Sequence, residues 1–132
     1  MTRDKFWNVV DEAVKQLPDE FGTILDNVEI IVRNYPDKET RETLAPGGLL
    51  LGLYTGIPRT VRGAGYSSGF YGFTSPDRIQ LFQKNIEKYC QATGKSLVGQ
   101  IKETLLHEIG HYMGLDEEEL AGLKYRTMKQ GN

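Results

Sequence analysis

The stretch of residues 96–120, SLVGQIKETLLHEIGHYMGLDEEEL, restricts what this chain can fold into more than any other stretch. At about 100° of rotation per residue, an α-helix here gathers its apolar side chains into one stripe. The stripe consists of Val98, Ile101, Leu105, Ile109 and Tyr112, flanked by Leu106 and Met113. His107 and His111 project to nearly the opposite side, with Gln100 and Thr104 beside them. The pattern therefore predicts a helix that packs one face on a core and turns its histidines towards a cleft.

The two histidines have the spacing of metal ligands. His107 and His111 lie about one helical turn apart, so both imidazoles can reach one ion. With Glu108 they form the H-E-x-x-H arrangement of zinc hydrolases, in which the glutamate is the general base for a zinc-activated water. Both histidines of the chain lie in this motif, which makes a chance pair on a solvated helix face the weaker interpretation. We therefore predict zinc on His107 and His111 and a general base at Glu108.

A third ligand is expected just beyond the helix, because catalytic zinc takes three protein ligands and leaves a fourth position to water. Gly114 is the residue type that ends a helix in a left-handed turn and sends the chain back towards the ion. In the extended pattern H-E-x-x-H-x-x-G-x-x-H, the last ligand follows the glycine by three residues. That position is Glu117. Asp116 and Glu118 are neighbouring alternatives, and Glu117 as a solvated acid at a helix start is another.

Composition indicates an ordinary globular protein, which we expect to be a single domain over residues 1–132. The net charge of −2, with acids and bases interspersed, gives no electrostatic footprint for nucleic acid. No apolar run is long enough to span a membrane, and the N-terminal stretch lacks the apolar core of a signal peptide. The single Cys90 fits a reducing compartment and is interpreted as a small buried apolar residue. We therefore predict a cytoplasmic, monomeric protein without nucleic-acid or membrane partners.

Hydrophobic periodicity and turn residues predict the remaining elements. Helices are expected over residues 4–17, 19–25, 85–91 and 117–125, strands over 28–32, 49–54 and 78–83, a loop over 37–48, and an N-cap at Ser96. Glycines and aromatics dominate residues 59–75, which predicts a long loop or hairpin arm whose aromatic side chains pack it down. Tyr54, Tyr66 or Tyr71 is an alternative donor to an oxyanion, and the sequence does not select among them.

This order of elements predicts an α+β domain, with helices packed on one face of a small mixed sheet. The helix that carries His107 and His111 is expected to run beneath the sheet. A cleft would then lie between this helix and the edge strand. An extended peptide can add to such an edge through main-chain hydrogen bonds, with little selectivity for side chains.

The chain resembles the minimal zincin-like bacterial proteins that are assigned as zinc metallopeptidases, with the pattern H-E-x-x-H-x-x-G-x-x-D. The matching segments are LP and LDNV at residues 17–28, LGLYTGIP at 51–58, PDRI at 76–79 and HEIGHYMGL at 107–115. The resemblance implies a compact zincin-like domain, zinc on His107 and His111, and Glu108 as the base. The third-ligand aspartate of the family falls on position 117, where this chain has Glu117, so Asp116 stays an alternative.

The expected function is thus that of a zinc-dependent metallopeptidase acting on peptides or proteins. One alternative is a catalytically silent zinc-binding or protein-interaction domain, whose metal would have a closed shell of four ligands that include Asp116 and Glu117. Another is a metal-dependent ribonuclease of the rRNA-maturation kind, which needs a third histidine and a basic groove. The chain has two histidines and no basic cluster, which disfavours the ribonuclease.

Overall fold

The computed structural model of the chain describes residues 1–56, 77–116, 118–119 and 121–122. Its elements are, in order, α1 (Arg3–Lys15), α2 (Asp19–Leu25), β1 (Glu29–Arg33), α3 (Lys38–Glu42), β2 (Gly52–Thr55), β3 (Arg78–Phe82), α4 (Gln83–Thr93) and α5 (Leu97–Met113). Residues 118–119 and 121–122 are also helical. The α+β organisation predicted from the sequence is confirmed. Within the described ranges, every helix is too short or too polar to cross a lipid bilayer.

The three strands form a mixed sheet in the order β1-β3-β2. β1 runs parallel to the central strand β3, and β2 pairs with β3 in the antiparallel direction. Paired residues project to the same side of a sheet, so Val32, Leu81 and Gly52 share one face, which packs against α5. The other face carries polar contacts between side chains, including Arg33 with Gln80. Helices therefore cover one face of the sheet along the described chain, as expected.

Helix α5 lies at the centre of the core. Its side chains Ile101, Leu105, Leu106 and Ile109 are fully buried, and Tyr112 is buried apart from its edge. Helix α1 supplies much of the opposing surface, and the sheet and the helices α2 and α4 contribute to it as well. Burial of one such aliphatic side chain stabilises the fold by roughly 1.5–3 kcal/mol. The predicted apolar stripe is therefore what fixes the orientation of α5, although Val98 at its start is only partly buried.

Both ends of α5 are fixed by local interactions. The Ser96 hydroxyl accepts a hydrogen bond from the Gly99 amide at 3.1 Å, as predicted for an N-cap. Gly114 ends the helix with a φ of 75°, in the left-handed region. The amides of Gly114 and Leu115 donate to the carbonyls of His111 and Gly110, which is the Schellman arrangement. The chain is thereby reversed directly after the second histidine.

The interpretation of residues 37–48 as a loop was wrong in part, because they contain the short helix α3. Asp37 caps this helix, and its carboxylate accepts a hydrogen bond from the Thr40 amide at 2.7 Å. That hydrogen bond holds the pKa of Asp37 below its usual value. A capping residue in a polar stretch without apolar periodicity is a weak sequence signal, so the helix was missed.

Element boundaries also differ from the prediction. β2 covers Gly52–Thr55 rather than residues 49–54, and the Leu50 carbonyl accepts a hydrogen bond from the Asn85 side chain at 2.9 Å. Helix α4 starts at Gln83 without a turn after β3 and continues to Thr93. Helix α1 ends at Lys15, two residues before its predicted end. The predictions for residues 59–75, and most of those for 117–125, lie outside the described residues.

Gly114→Ala should lower the free energy of unfolding by about 1 kcal/mol, because an L-residue is strained in the left-handed region. The matched control is Gly22→Ala in α2, where a Cβ atom meets open space. That change should stabilise the protein by about 0.5–1 kcal/mol, since alanine favours a helix. Urea denaturation followed by circular dichroism measures both. Equal effects of the two substitutions on the free energy of unfolding would contradict the role of the left-handed conformation of Gly114 in ending α5.

Candidate metal centre

Three side chains of α5 come together outside the apolar stripe of the helix. His107, Glu108 and His111 each offer one ligand atom, and these atoms lie within 4.8 Å of one another. The two imidazole ring centroids are 4.6 Å apart, with an angle of 58° between the ring planes. Among the described residues, no other group of three histidine, cysteine or acidic side chains is placed in this way. The spacing read from the sequence thus brings the two imidazoles together as expected.

The three side chains differ in their access to solvent. The His111 side chain is 42% exposed and His107 is half-buried, whereas Glu108 is 5% exposed. A buried carboxylate needs hydrogen-bond donors or nearby positive charge to remain ionised. The two imidazoles are thus accessible to solvent, whereas the Glu108 carboxylate lies inside the protein.

The donor to Glu108 comes from the edge strand. The main-chain amide of Tyr54 donates to Glu108 Oε1 at 2.7 Å, and the same oxygen lies 3.6 Å from His111 Nδ1. Such a hydrogen bond favours the charged form of a carboxylate. Glu108 is therefore oriented by a backbone group 54 residues away in sequence.

The register of β2 explains why its amide is available to α5. The Phe82 amide donates to the Leu51 carbonyl, so this pair belongs to the hydrogen-bonded pairs of the antiparallel ladder. Main-chain groups alternate in direction along such a strand, and those of Gly52 and Tyr54 consequently point away from β3. Within the described sheet, β2 is thus an edge strand whose outer main-chain groups lie beside the site.

Gly52 allows β2 and α5 to approach each other closely. A Cβ atom at this position would lie 2.7 Å from Thr104 Cγ2, 3.1 Å from the Gln80 carbonyl oxygen and 3.6 Å from Glu108 Cγ. The first two distances are too short for an ordinary contact, so only glycine fits without displacement. The absence of a side chain at Gly52 therefore allows the Tyr54 amide to reach Glu108.

Asp77 fixes the end of β2, and sequence reasoning missed it. The Tyr54 hydroxyl donates to Asp77 Oδ1 at 2.9 Å, and Asp77 is 3% exposed. The Tyr54 ring meets that of Tyr112 edge to face, with centroids 5.9 Å apart. This bond disfavours Tyr54 as an oxyanion donor, whereas Tyr66 and Tyr71 lie outside the described residues. An aspartate after a proline resembles a turn signal, so nothing in the sequence indicated this role.

A family model for the zincin-like metallopeptidases matches residues 25–126. The chain belongs to the zincin-like metallopeptidase family. The matched range includes the whole sheet and α5, so it covers every described element that forms the site. No curated protein matches the chain at the level of sequence. The family resemblance inferred from the HEIGH motif and the compact zincin-like fold are thus confirmed.

Membership of the zincin-like family implies a metal ion, and the side chains at this site fit zinc. Zinc is bound in proteins by neutral imidazole nitrogens together with carboxylate or thiolate ligands. His107 and His111 supply two such nitrogens at the accessible end of the group. Glu108 lies beside them, and its Oε1 is already engaged by a backbone amide. The arrangement places two candidate metal ligands next to one buried carboxylate.

The described residues narrow the choice of a third ligand. The carboxylate of Asp116 accepts a hydrogen bond from the Glu119 amide at 2.8 Å, and the Glu119 carboxylate accepts one from the Asp116 amide at 3.2 Å. This reciprocal pair is a capping box at the start of a helix. Neither Asp116 nor Glu118 joins the group formed with His107 and His111. Glu117 lies outside the described residues, so its role as a ligand stays a prediction.

A cavity of about 220 Å³ opens next to His107 and Glu108, between β2 and α5. The other lining residues in the described part of the chain are Leu50, Leu51, Gly52, Gln100, Glu103 and Thr104. This is the cleft between the site helix and the edge strand that the sequence predicted. The helical projection places Gln100 and Thr104 on the cleft side of the helix, as observed. It does not identify Glu103, because helical periodicity gives no information about where a strand packs.

Cys90 lies in a different chemical environment from the residues of this site. Its thiol is half-buried and lies 3.8 Å from the Ser96 carbonyl oxygen. Burial raises the pKa of the Cys90 thiol above its usual value, although nearby Lys95 opposes the shift. A thiol of this kind is mostly protonated at neutral pH and is a poor nucleophile. The interpretation of Cys90 as a small apolar residue agrees with this environment.

Gly52→Ala should reduce the free energy of unfolding by about 1–3 kcal/mol, because the added methyl group overpacks the contact between β2 and α5. Thr104→Ser removes the Cγ2 atom that this methyl group would strike. The double variant should therefore recover part of the loss, and chemical denaturation of all four proteins in the cycle measures this coupling. Additive effects of the two changes would show that the close approach at Gly52 does not depend on Thr104.

Proposed function

We propose that the protein is a zinc-dependent peptidase in which His107, His111 and Glu117 bind zinc and Glu108 is the general base. The position of Glu108 is the observation that carries this proposal. Its carboxylate is buried beside two imidazoles and is held by the Tyr54 amide. A purely structural metal site has no use for such a carboxylate, whereas hydrolysis requires a base next to the metal-bound water.

Zinc, when bound, would act as a Lewis acid on the scissile carbonyl and lower the pKa of its bound water. Glu108 takes up the proton of the attacking water and transfers it to the leaving amine. The hydrogen bond from the Tyr54 amide orients the carboxylate for this task. The apolar residues beneath α5 hold the base in place, because they fix the rotation of the helix about its own axis.

The outer main-chain groups of β2 supply a means of holding the substrate. An extended peptide that pairs with the outer main-chain groups of Gly52 adds a strand to the sheet, while the Tyr54 amide stays bonded to Glu108. The carbonyl groups of such a peptide then pass close to the end of α5 that carries the two histidines. Main-chain recognition of this kind supports a peptide or protein as the substrate.

The other expectations from the sequence remain part of this proposal. We infer a cytoplasmic, monomeric, single-domain enzyme of bacterial type, without nucleic-acid or membrane partners. The net charge of −2 supports the absence of a nucleic-acid partner. The alternative of a silent zinc-binding domain requires a fourth protein ligand from Asp116, and the engagement of Asp116 in a capping box argues against it.

Zinc-reconstituted protein should contain about one zinc per chain, as for other H-E-x-x-H sites. His107→Ala and His111→Ala should abolish this zinc, and Glu117→Ala should weaken its binding by about 10-fold or more. Asp116→Asn is the matched control and should retain zinc, because its carboxylate is occupied by the capping box. Elemental analysis with competition by a chelator gives the result. Loss of zinc from Asp116→Asn with full retention in Glu117→Ala would reverse the assignment of the third ligand.

Glu108→Gln should retain zinc but lose peptide hydrolysis by about 10²-fold or more, as for removal of a general base. The amide oxygen of glutamine can still accept the hydrogen bond from Tyr54, so the fold should be kept. Turnover of a pool of quenched fluorescent peptides measures activity, with Glu118→Gln as an exposed control. Equal turnover by Glu108→Gln and the parent protein would rule out the proposed base. No turnover by the parent protein would favour the silent binding domain.

A further inference from the structure

The cavity next to the proposed zinc site has an uneven distribution of charge. Glu103 and Glu108 both line it, and none of its described lining residues is a lysine or an arginine. Leu50 and Leu51 form an apolar part of the wall. A cavity with acidic and apolar walls favours a ligand group that is cationic at its end and apolar along its stem.

Gln100 is a second, independent indication of a ligand with hydrogen-bond donors. This residue lines the cavity and is 6% exposed. Its amide nitrogen donates to the Thr104 hydroxyl at 3.1 Å, whereas its side-chain oxygen has no hydrogen-bond partner among the described residues. Buried polar atoms usually have partners, and an acceptor left without one destabilises the protein. A donor that enters the cavity can supply the missing partner after a rotation of the Gln100 carboxamide.

Glu103 lies at the rim of the cavity and remains available to a second cation. Its side chain is 36% exposed and lies 3.8 Å from the amine of Lys95, which is itself 47% exposed. Lys95 also donates to the Tyr89 hydroxyl at 3.4 Å. Ion pairs this exposed are weak, so a cationic group inside the cavity can compete for the Glu103 carboxylate. Lys95 does not line the cavity.

The size of the cavity sets the size of its occupant. About 220 Å³ corresponds to roughly seven water molecules at ~30 Å³ each. This is below the range of about 300–1,000 Å³ that is typical of pockets for whole small-molecule ligands. The cavity therefore suits one long side chain of a peptide whose main chain lies outside it, along β2.

We propose that this cavity is a specificity pocket for a lysine or arginine side chain next to the scissile bond. The proposal rests on the function proposed above and adds a substrate class to it. The aliphatic stem lies against Leu50 and Leu51, and the cationic group interacts with Glu103 and donates to Gln100. Backbone pairing with β2 then supplies general affinity, and this pocket selects the side chain.

Binding is tested on the zinc-free parent protein and on zinc-loaded Glu108→Gln protein, with blocked pentapeptides that carry lysine, arginine, norleucine or glutamate at the centre of four alanines. The lysine and arginine peptides should bind about 10-fold more tightly than the norleucine peptide, as expected for a hydrogen bond to a charged group. The glutamate peptide should bind most weakly. Adding Glu103→Gln should bring the lysine-to-norleucine ratio close to one, and Gln100→Leu should lower it several-fold.

The remote exposed carboxylate Glu12 provides the matched control, since Glu12→Gln should leave the ratio unchanged. A norleucine peptide that binds as tightly as the lysine peptide would overturn the proposal, and so would a ratio that survives Glu103→Gln. A cleavage assay on the parent protein distinguishes failure of the pocket proposal from failure of the proposed peptidase function. Hydrolysis without a preference for basic residues would refute the pocket alone. Selective binding of basic peptides without hydrolysis would refute the peptidase alone.

Discussion

The close contact between β2 and α5 is the constraint on which the rest of the site depends. A helix can carry the H-E-x-x-H pattern anywhere on its surface, but the direction of its carboxylate is set only when a neighbouring group holds it. Here a main-chain amide does so, at 2.7 Å from Glu108 Oε1. Because this donor belongs to the backbone, a substitution at Tyr54 by any residue other than proline keeps the N–H group itself. The hydrogen bond is then lost only when the strand moves, and Gly52 and Asp77 both act on the position of the strand.

The same helix serves the core and the site, and these two roles are linked. Its buried side chains on one face determine the rotation of α5, and this rotation aims the histidines on the other face. Side chains on a helix reach roughly 5–6 Å from its axis, so a rotation of about 20° would move an imidazole by about 2 Å. Tight packing in the core therefore gives the accuracy that a metal site needs. This explains why so small a domain can support a site that sits mainly on one helix.

The features that the sequence predicted correctly are those with a local cause. The apolar stripe, the N-cap at Ser96 and the glycine at the end of α5 each depend on residues within a few positions of one another. The same holds for the helix at 19–25, which matched the prediction at both ends. The contacts that could not be predicted join residues far apart in the sequence. Glu108 with Tyr54 and Tyr54 with Asp77 depend on strand register, and one residue of slip would reverse every direction along β2.

Carboxylates near the histidines are distinguished by their hydrogen bonds rather than by their position in the sequence. Glu108 accepts from a strand amide, and Asp116 accepts from the helix that follows α5. Each carboxylate is thereby held by a specific donor, although Glu108 lies inside the protein and Asp116 at its surface. The Schellman turn and the capping box are separated by no residue, since Leu115 belongs to the first and Asp116 to the second. Such a short and fully hydrogen-bonded link fixes the direction in which the chain leaves α5 as far as Asp116.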